Sequence, residues 1–125
     1  MYNKDTKILI TGGAGFVGTN FINDLLNRGH NPKCIAVIDN LSHGTYLPKV
    51  HDKIENFHEV DIRNQYVENI IQEFEPEYVY HFAGLVSIYD CHEDPYEAVD
   101  NNILGSINVM NGCVKAGVKR IIFSE

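Results

Sequence analysis

Short runs of apolar residues alternate along this chain with longer segments in which apolar residues recur every three or four positions. The short runs predict buried β-strands, and the spaced pattern predicts amphipathic helices. Five strands are predicted, at residues 8–10, 35–38, 57–61, 78–83 and 120–124. Near-continuous apolar strands that alternate with helices are typical of a parallel sheet covered on both faces. The pattern therefore predicts an α/β fold.

Three helices are predicted between these strands. The first begins at Phe16 and ends near Gly29, and Pro76 blocks the continuation of the second. The apolar face of the second helix consists of Val67, Ile70, Ile71 and Phe74. A long third helix is predicted from Pro95 to Ala116, because Asp94 suits the N-cap and proline suits the first helical position. The stretch 40–48 lacks periodicity and is predicted to be a loop.

A glycine-rich turn, Thr11-Gly12-Gly13-Ala14-Gly15-Phe16-Val17-Gly18, joins the first strand to the first helix. Gly12 suits a tight turn, Gly15 lets the main chain approach a phosphate, and Gly18 lets the helix lie close to the sheet. The unpaired N–H groups of a helix N-terminus bind anions. Such glycine spacing also occurs in ordinary turns, but between a strand and a helix it predicts a site for a dinucleotide pyrophosphate.

The second strand stops at Asp39, which lies 21 positions after Gly18. An acidic residue at about this distance hydrogen-bonds the adenosine ribose hydroxyls of a dinucleotide. Its carboxylate would repel the additional phosphate of NADP, so Asp39 favours NAD. Right-handed crossovers and the glycine-rich turn on the first strand predict the strand order 3-2-1-4-5.

Composition narrows the choice of partner and compartment. The 125 residues support one domain, and the net charge of −7 argues against nucleic acid or an anionic membrane as partner. No apolar run is long enough for a membrane span, and no secretion signal is evident. Three widely spaced cysteines predict free thiols and hence a cytoplasmic location. The six histidines lack paired ligand spacing, so no metal site is predicted.

Four further motifs follow the glycine-rich turn in order, at residues 39–42, 61–64, 81–85 and 100–102. Together the five motifs make the sequence resemble the extended short-chain dehydrogenase/reductases, within them the nucleotide-sugar epimerases and dehydratases. The resemblance covers nearly the whole chain but only the N-terminal portion of such an enzyme. It implies a Rossmann-like doubly wound parallel sheet that is incomplete relative to the family, with residues 1–125 as the NAD-binding domain.

The resemblance also implies the residues of a cofactor site. The pyrophosphate would lie beside the turn residues Gly12, Gly15, Phe16, Val17 and Gly18. The adenosine ribose would be surrounded by Asp39, Asn40, Leu41, Ser42 and Gly44. Asp61 and Ile62 would flank the adenine. The cofactor's ribose and nicotinamide side would pass over Phe82, Ala83, Gly84 and Leu85. Asn101 would be the helix residue that steadies this last loop.

In the family the catalytic residues are a serine or threonine after strand five and a Tyr-x-x-x-Lys pair. No tyrosine here has a lysine four residues later, so the catalytic acid/base and the substrate domain are expected beyond this chain. The intact enzyme would transfer a hydride from a sugar carbon to NAD and back, and nucleotide-sugar binding would need the C-terminal half. The alternative is a free-standing NAD-binding or regulatory module without turnover. The helix from Pro95 resembles one used for homodimer packing in the family.

Overall fold

The strands of the computed structural model, which describes residues 3–124, form a single parallel sheet. They are β1 (Ile8–Thr11), β2 (Ile35–Asp39), β3 (Asn56–Glu59), β4 (Tyr78–His81) and β5 (Arg120–Phe123). Their order in the sheet is β3-β2-β1-β4-β5, which confirms the predicted order. The crossovers therefore diverge on either side of β1, and the carboxyl ends of β1, β2 and β4 lie side by side.

Helices connect the strands. They are α1 (Phe16–Asn27), α2 (Pro48–His51), α3 (Tyr66–Phe74), α4 (Ile88–Glu93), α5 (Pro95–Val99) and α6 (Gly105–Ala116). None of the helices within residues 3–124 is long and apolar enough to cross a membrane. The predicted first and second helices correspond to α1 and α3.

The predicted long helix is present but is interrupted in its middle. A π-helical segment (Asp100–Leu104) joins α5 to α6. The predicted ends are confirmed, since the Asp94 carboxylate accepts a hydrogen bond from the Glu97 N–H at 3.0 Å and Gly117 adopts a φ of 70°. The π-helical segment has no signal in the apolar periodicity, because one widened turn leaves the flanking pattern almost unchanged.

Three short elements lie where no helix was predicted. They are a 3-10 turn (Pro32–Cys34), α2, and α4, whose N-cap Ser87 accepts a hydrogen bond from the Asp90 N–H at 3.2 Å. α2 begins at the last residue of the stretch predicted to be a loop. Helices of one or two turns contain too few residues to establish an apolar period. β3 and β4 also end two residues earlier than predicted, at Glu59 and His81.

The two faces of the sheet bury separate apolar clusters. The cluster between one face and α1 includes the strand residues Ile8, Ile10, Ile35 and Val37 and the helix residues Ile22 and Leu25. The cluster between the other face and α3 and α6 includes the strand residues Leu9, Ala36, Ile38 and Val79 and the helix residues Val67, Ile71 and Val109. Successive residues of β1 and β2 thus point to opposite faces, as the period of a strand requires. This arrangement confirms the predicted doubly wound α/β fold.

The cysteines do not form disulfides. The three thiols are free, and burial raises the pKa of Cys113 to about 11, so this thiol stays protonated. Within residues 3–124, no group of three or more His, Cys, Asp or Glu side chains is placed to hold a metal ion.

Candidate functional site

A cleft of about 420 Å³ opens at the carboxyl ends of the strands. The residue directly after each of the five strands lines it: Gly12, Asn40, Val60, Phe82 and Ser124. Open parallel sheets bind ligands at this edge, at the point where the crossovers diverge to the two faces. All residues predicted for the cofactor site line the cleft except Leu41 and Asp61.

The glycine-rich turn forms one wall of the cleft. Gly12 has a φ of 69°, and a Cβ on it would lie 2.7 Å from the Ala83 nitrogen. A Cβ on Gly18 would lie 2.3 Å from the Gly12 carbonyl oxygen, so glycine lets α1 approach the turn. A Cβ on Gly15 would meet only the Gly12 oxygen, at 3.2 Å, which leaves the cleft side open. Phe16 and Val17 begin α1 with exposed side chains at this open side.

Asp39 links the turn to the end of β2. One carboxylate oxygen accepts a hydrogen bond from the Ala14 N–H at 2.9 Å, and the other accepts from the Leu41 N–H at 2.8 Å. The residue is buried but borders the cleft. Each oxygen keeps a lone pair, so the carboxylate can accept further hydrogen bonds from a ligand's hydroxyl groups.

The loop after β2 wraps around the same wall. Ser42 donates hydrogen bonds from both its N–H and its hydroxyl to the Asn40 side-chain oxygen, at 3.1 and 2.7 Å. A Cβ on Gly44 would lie 2.7 Å from the Ala14 carbonyl, so the loop packs directly on the turn. Leu41 has a φ of 58° and lies outside the cleft lining. The loop thus presents Asn40, Ser42 and Gly44 to the cleft.

Asp61 is not among the residues that line the cleft, and its carboxylate is held by two neighbouring side chains. It accepts hydrogen bonds from the Arg63 side chain at 2.7 and 3.0 Å and from Asn40 Nδ2 at 3.0 Å. The Arg63 guanidinium lowers the pKa of Asp61 to about 2. Ile62 is the member of this predicted pair that lines the cleft. The predicted contact of Asp61 with adenine stays a prediction.

Asp61→Asn is expected to remove a pH-dependent part of the stability. The unfolded Asp61 titrates near 4 and the folded one near 2, so the ion pair stabilises the fold fully above about pH 4 and progressively less toward pH 2. The variant should lose about 1 to 2 kcal/mol of unfolding free energy at pH 7. Urea unfolding at several pH values measures it, with Asp24→Asn in an exposed ion pair as the control. A loss that stays constant down to pH 2 would contradict this assignment.

The segment after β4 forms the opposite wall and corrects one predicted role. Asn102, and not Asn101, steadies this loop: its side-chain oxygen accepts from the Leu85 N–H at 2.6 Å, and its Nδ2 donates to the Leu85 carbonyl at 2.9 Å. Asn101 instead lines the cleft. Adjacent helix residues point in different directions, and the π-helical segment sets which asparagine meets the loop.

Sequence reasoning missed several residues of the site. Five further lining residues are Ile38, His43, Val60, Val86 and Ser124. Val60 and Ser124 follow strands, so the rule on carboxyl ends of parallel strands could have identified them. His51 is fully buried; its Nδ1 accepts from the Leu47 N–H at 2.8 Å, so its Nε2 donates to the Gly13 carbonyl at 3.0 Å. No sequence signal marks this support of the glycine-rich turn.

The doubly wound sheet, the glycine-rich turn at its switch point and the acidic residue at the end of β2 define a Rossmann-like protein. The sequence matches the NAD dependent epimerase/dehydratase family over residues 8–125. It is 37% identical over 125 residues to a UDP-glucose 4-epimerase of Klebsiella pneumoniae, covering 95% of this chain and 88% of that sequence.

Two solved structures extend the comparison. The structure of UDP-glucose 4-epimerase with UDP-glucose from Thermotoga maritima matches with a TM-score of 0.86 and 34% identity, covering 96% of this chain and 38% of that one. The Thermus thermophilus UDP-glucose 4-epimerase complex with NAD matches with a TM-score of 0.80 and 35% identity, covering 93% and 36%. The chain belongs to the NAD dependent epimerase/dehydratase family. It spans little more than a third of the solved relatives.

Proposed function

We propose that this chain is the NAD-binding portion of a nucleotide-sugar epimerase or dehydratase similar to the UDP-glucose 4-epimerases. The observation that carries the proposal is the Asp39 carboxylate, which is hydrogen-bonded to the glycine-rich turn at the border of the cleft. The hydrogen bond brings a helix N-terminus suited to an anion next to an acceptor for ribose hydroxyls. The Thermus thermophilus relative is a complex with NAD, which supports this choice of ligand.

The residues of the cleft fit such a cofactor. The N-cap of α1 is Gly15, which has no side chain to occupy the anion site. Asp39 would hold the adenosine ribose, and the apolar side chains of Val60 and Ile62 offer a surface for the adenine. Ala83 and Gly84 are small, so a cofactor can pass close to the main chain after β4. Bound NAD supplies a hydride acceptor and donor, and the chain's part is to bind and orient it.

Titration with NAD and NADP by isothermal calorimetry tests the cofactor. We expect NAD to bind at least about tenfold more tightly than NADP, because Asp39 repels the 2′-phosphate. Equal affinities, or no binding of either, would contradict the proposal.

The whole enzyme's activity is tested by mixing the chain with the separately expressed C-terminal portion of a UDP-glucose 4-epimerase. UDP-glucose turnover would identify a component of an enzyme, and NAD binding without turnover would favour the regulatory module.

The thiols and the net charge support a proposed compartment and argue against two kinds of partner. The free thiols of Cys34, Cys91 and Cys113 fit a reducing environment, so we propose a cytoplasmic location. The net charge of −7 makes nucleic acid and anionic membranes poor partners. The expected partners are NAD, a nucleotide sugar in the intact enzyme, and a second copy of this chain.

An exposed apolar stripe on one side of the chain supports its association with a second copy. Exposed apolar side chains follow helical spacing along α5, the π-helical segment and α6: Tyr96, Val99, Ile103, Ile107, Met110 and Val114. A helix that buries one side on its own sheet and exposes a continuous stripe on the other is suited to pack against a further helix. We propose that two copies of the chain form a homodimer through this stripe.

Ile103→Asp is expected to convert the dimer into a monomer, because a carboxylate in the middle of an apolar interface would be buried without a partner. Sedimentation equilibrium measures the mass. Tyr66→Asp places the same charge on a half-exposed position of α3, outside the stripe, and should leave the dimer intact. A monomeric parent protein at micromolar concentration would contradict the proposed dimer.

A further inference from the structure

A series of hydrogen bonds, here called the circuit, connects the two ends of the wall segment Ala83–Leu85. The Ala83 N–H donates to Thr11 Oγ1 at 3.1 Å, and Thr11 Oγ1 lies 2.6 Å from His81 Nδ1. His81 Nε2 lies 2.8 Å from Ser106 Oγ, which donates to the Asn102 carbonyl at 2.6 Å. The Asn102 side chain then binds both main-chain groups of Leu85.

The main-chain groups at the two ends of the circuit determine which partner donates in each hydrogen bond. A carbonyl can only accept, so the Ser106 hydroxyl donates its proton to the Asn102 carbonyl. Ser106 Oγ must therefore accept from His81. His81 therefore carries its proton on Nε2, and Nδ1 accepts from the Thr11 hydroxyl. Thr11 Oγ1 is then free to accept from the Ala83 N–H. Each hydroxyl donates once and accepts once.

The neutral form of His81 is the one that the fold favours. The imidazole is buried and its ring packs against Phe123 at 5.3 Å between centroids. Burial lowers the pKa of His81 to about 4, so the ring is uncharged at neutral pH. A neutral ring has one donor and one acceptor, which are the two groups that this circuit requires.

We propose that His81 and Ser106 are positioning residues, which hold Ala83, Gly84 and Leu85 in the conformation that forms the cleft wall. Neither side chain is among the residues that line the cleft. They act through Thr11 on one end of the wall and through Asn102 on the other. That this wall faces NAD rests on the proposed function, whereas the hold on its main chain does not.

The position of the wall depends on three separate elements through this circuit. Thr11 ends β1, His81 ends β4, and Ser106 belongs to the first turn of α6. Thr11 is fully buried and adjoins Gly12, so the same hydroxyl connects the wall to the glycine-rich turn on the opposite side of the cleft. Loss of one distant hydroxyl should therefore loosen a main-chain group that it does not touch.

Ser106→Ala tests the circuit, with amide hydrogen exchange followed by NMR in the ligand-free chain. The Ala83 amide should exchange about tenfold faster, although Ser106 does not contact it, because the partners of His81 are no longer fixed. The Val79 amide in β4 serves as internal reference and should keep its rate. Thr11→Val should accelerate the same amide, and Thr11→Ser, which keeps the hydroxyl, should not. Thr45→Val, at an exposed position, is the matched control.

The double variant Thr11→Val, Ser106→Ala distinguishes a circuit from two independent contacts. Its effect on the Ala83 amide should be smaller than the product of the two single effects, since either change breaks the same circuit. If Ser106→Ala leaves the Ala83 exchange rate within about twofold of the parent, the proposal is overturned even where Thr11→Val does not fold. NAD titration of the parent protein tests the proposed function independently of the exchange rates. Faster exchange in a chain that does not bind NAD would refute the proposed function and retain the positioning role.

Discussion

Gly12→Ala is expected to cost about 2 to 5 kcal/mol of unfolding free energy, the largest stability effect of the changes considered. Two costs combine at this position. The φ of 69° is strained for any residue with a Cβ, and the new methyl group would lie 2.7 Å from the Ala83 nitrogen and 2.8 Å from the Phe82 carbonyl carbon. Both neighbours are main-chain atoms of the opposite wall and cannot rotate away. Urea unfolding measures the loss.

Gly117→Ala is a matched control, because Gly117 has nearly the same φ, 70°, and nothing within 4 Å of an added Cβ. It should lose only about 1 kcal/mol, from backbone strain alone. The difference between the two variants isolates the contact between the glycine-rich turn and the segment after β4. Equal losses in the two variants would show that this contact is not tight.

Asp39→Ala is expected to weaken NAD binding by about 1 to 3 kcal/mol, which corresponds to roughly fivefold to more than hundredfold. The variant removes the acceptor for the ribose hydroxyls. It also leaves the Ala14 and Leu41 N–H groups without their acceptor, so the turn and the loop after β2 lose a common anchor. Isothermal calorimetry at constant pH and salt measures the change.

Two further variants separate these contributions. Asp39→Asn keeps an oxygen for one of the two N–H groups but removes the negative charge, so it should bind NAD weakly and lose the preference over NADP. Asp24→Ala removes the same group from an exposed ion pair between Asp24 of α1 and Arg28, the C-cap of that helix, and should bind NAD like the parent. Unchanged NAD affinity in Asp39→Ala would exclude Asp39 from the site.

Apolar patterning was sufficient to predict most of the fold. β1 and β2 are buried throughout, so their short apolar runs were unambiguous, and their opposite faces were separated by a period of two. Ends of elements were less predictable. β3 stops at Glu59, where its pairing with Asp39 of β2 ends, and the apolar residues Val60 and Ile62 beyond it serve the cleft and the core. An apolar pattern reflects the burial of side chains, and side chains stay buried beyond the residue at which the hydrogen-bonded pairing of the strands ends.

The candidate site divides in the same way. Gly12, Gly15 and Gly18 could be identified because each is required by a local constraint: a positive φ, an open approach or a close helix. Asn101 and Asn102 could not be assigned from local constraints, since their roles depend on the rotation of the π-helical segment. His51 and the His81 circuit depend on residues 38 and 70 positions apart in sequence.

By itself the sequence determined the class of fold, the order of the strands and the location of the glycine-rich turn, because apolar period and glycine spacing are properties of neighbouring residues. Only the tertiary structure decided which asparagine holds the cleft wall, which side chains bind Asp61, and how His81 connects β1, β4 and α6. Those outcomes depend on side-chain directions and on donors that meet across the sheet, which no local pattern encodes.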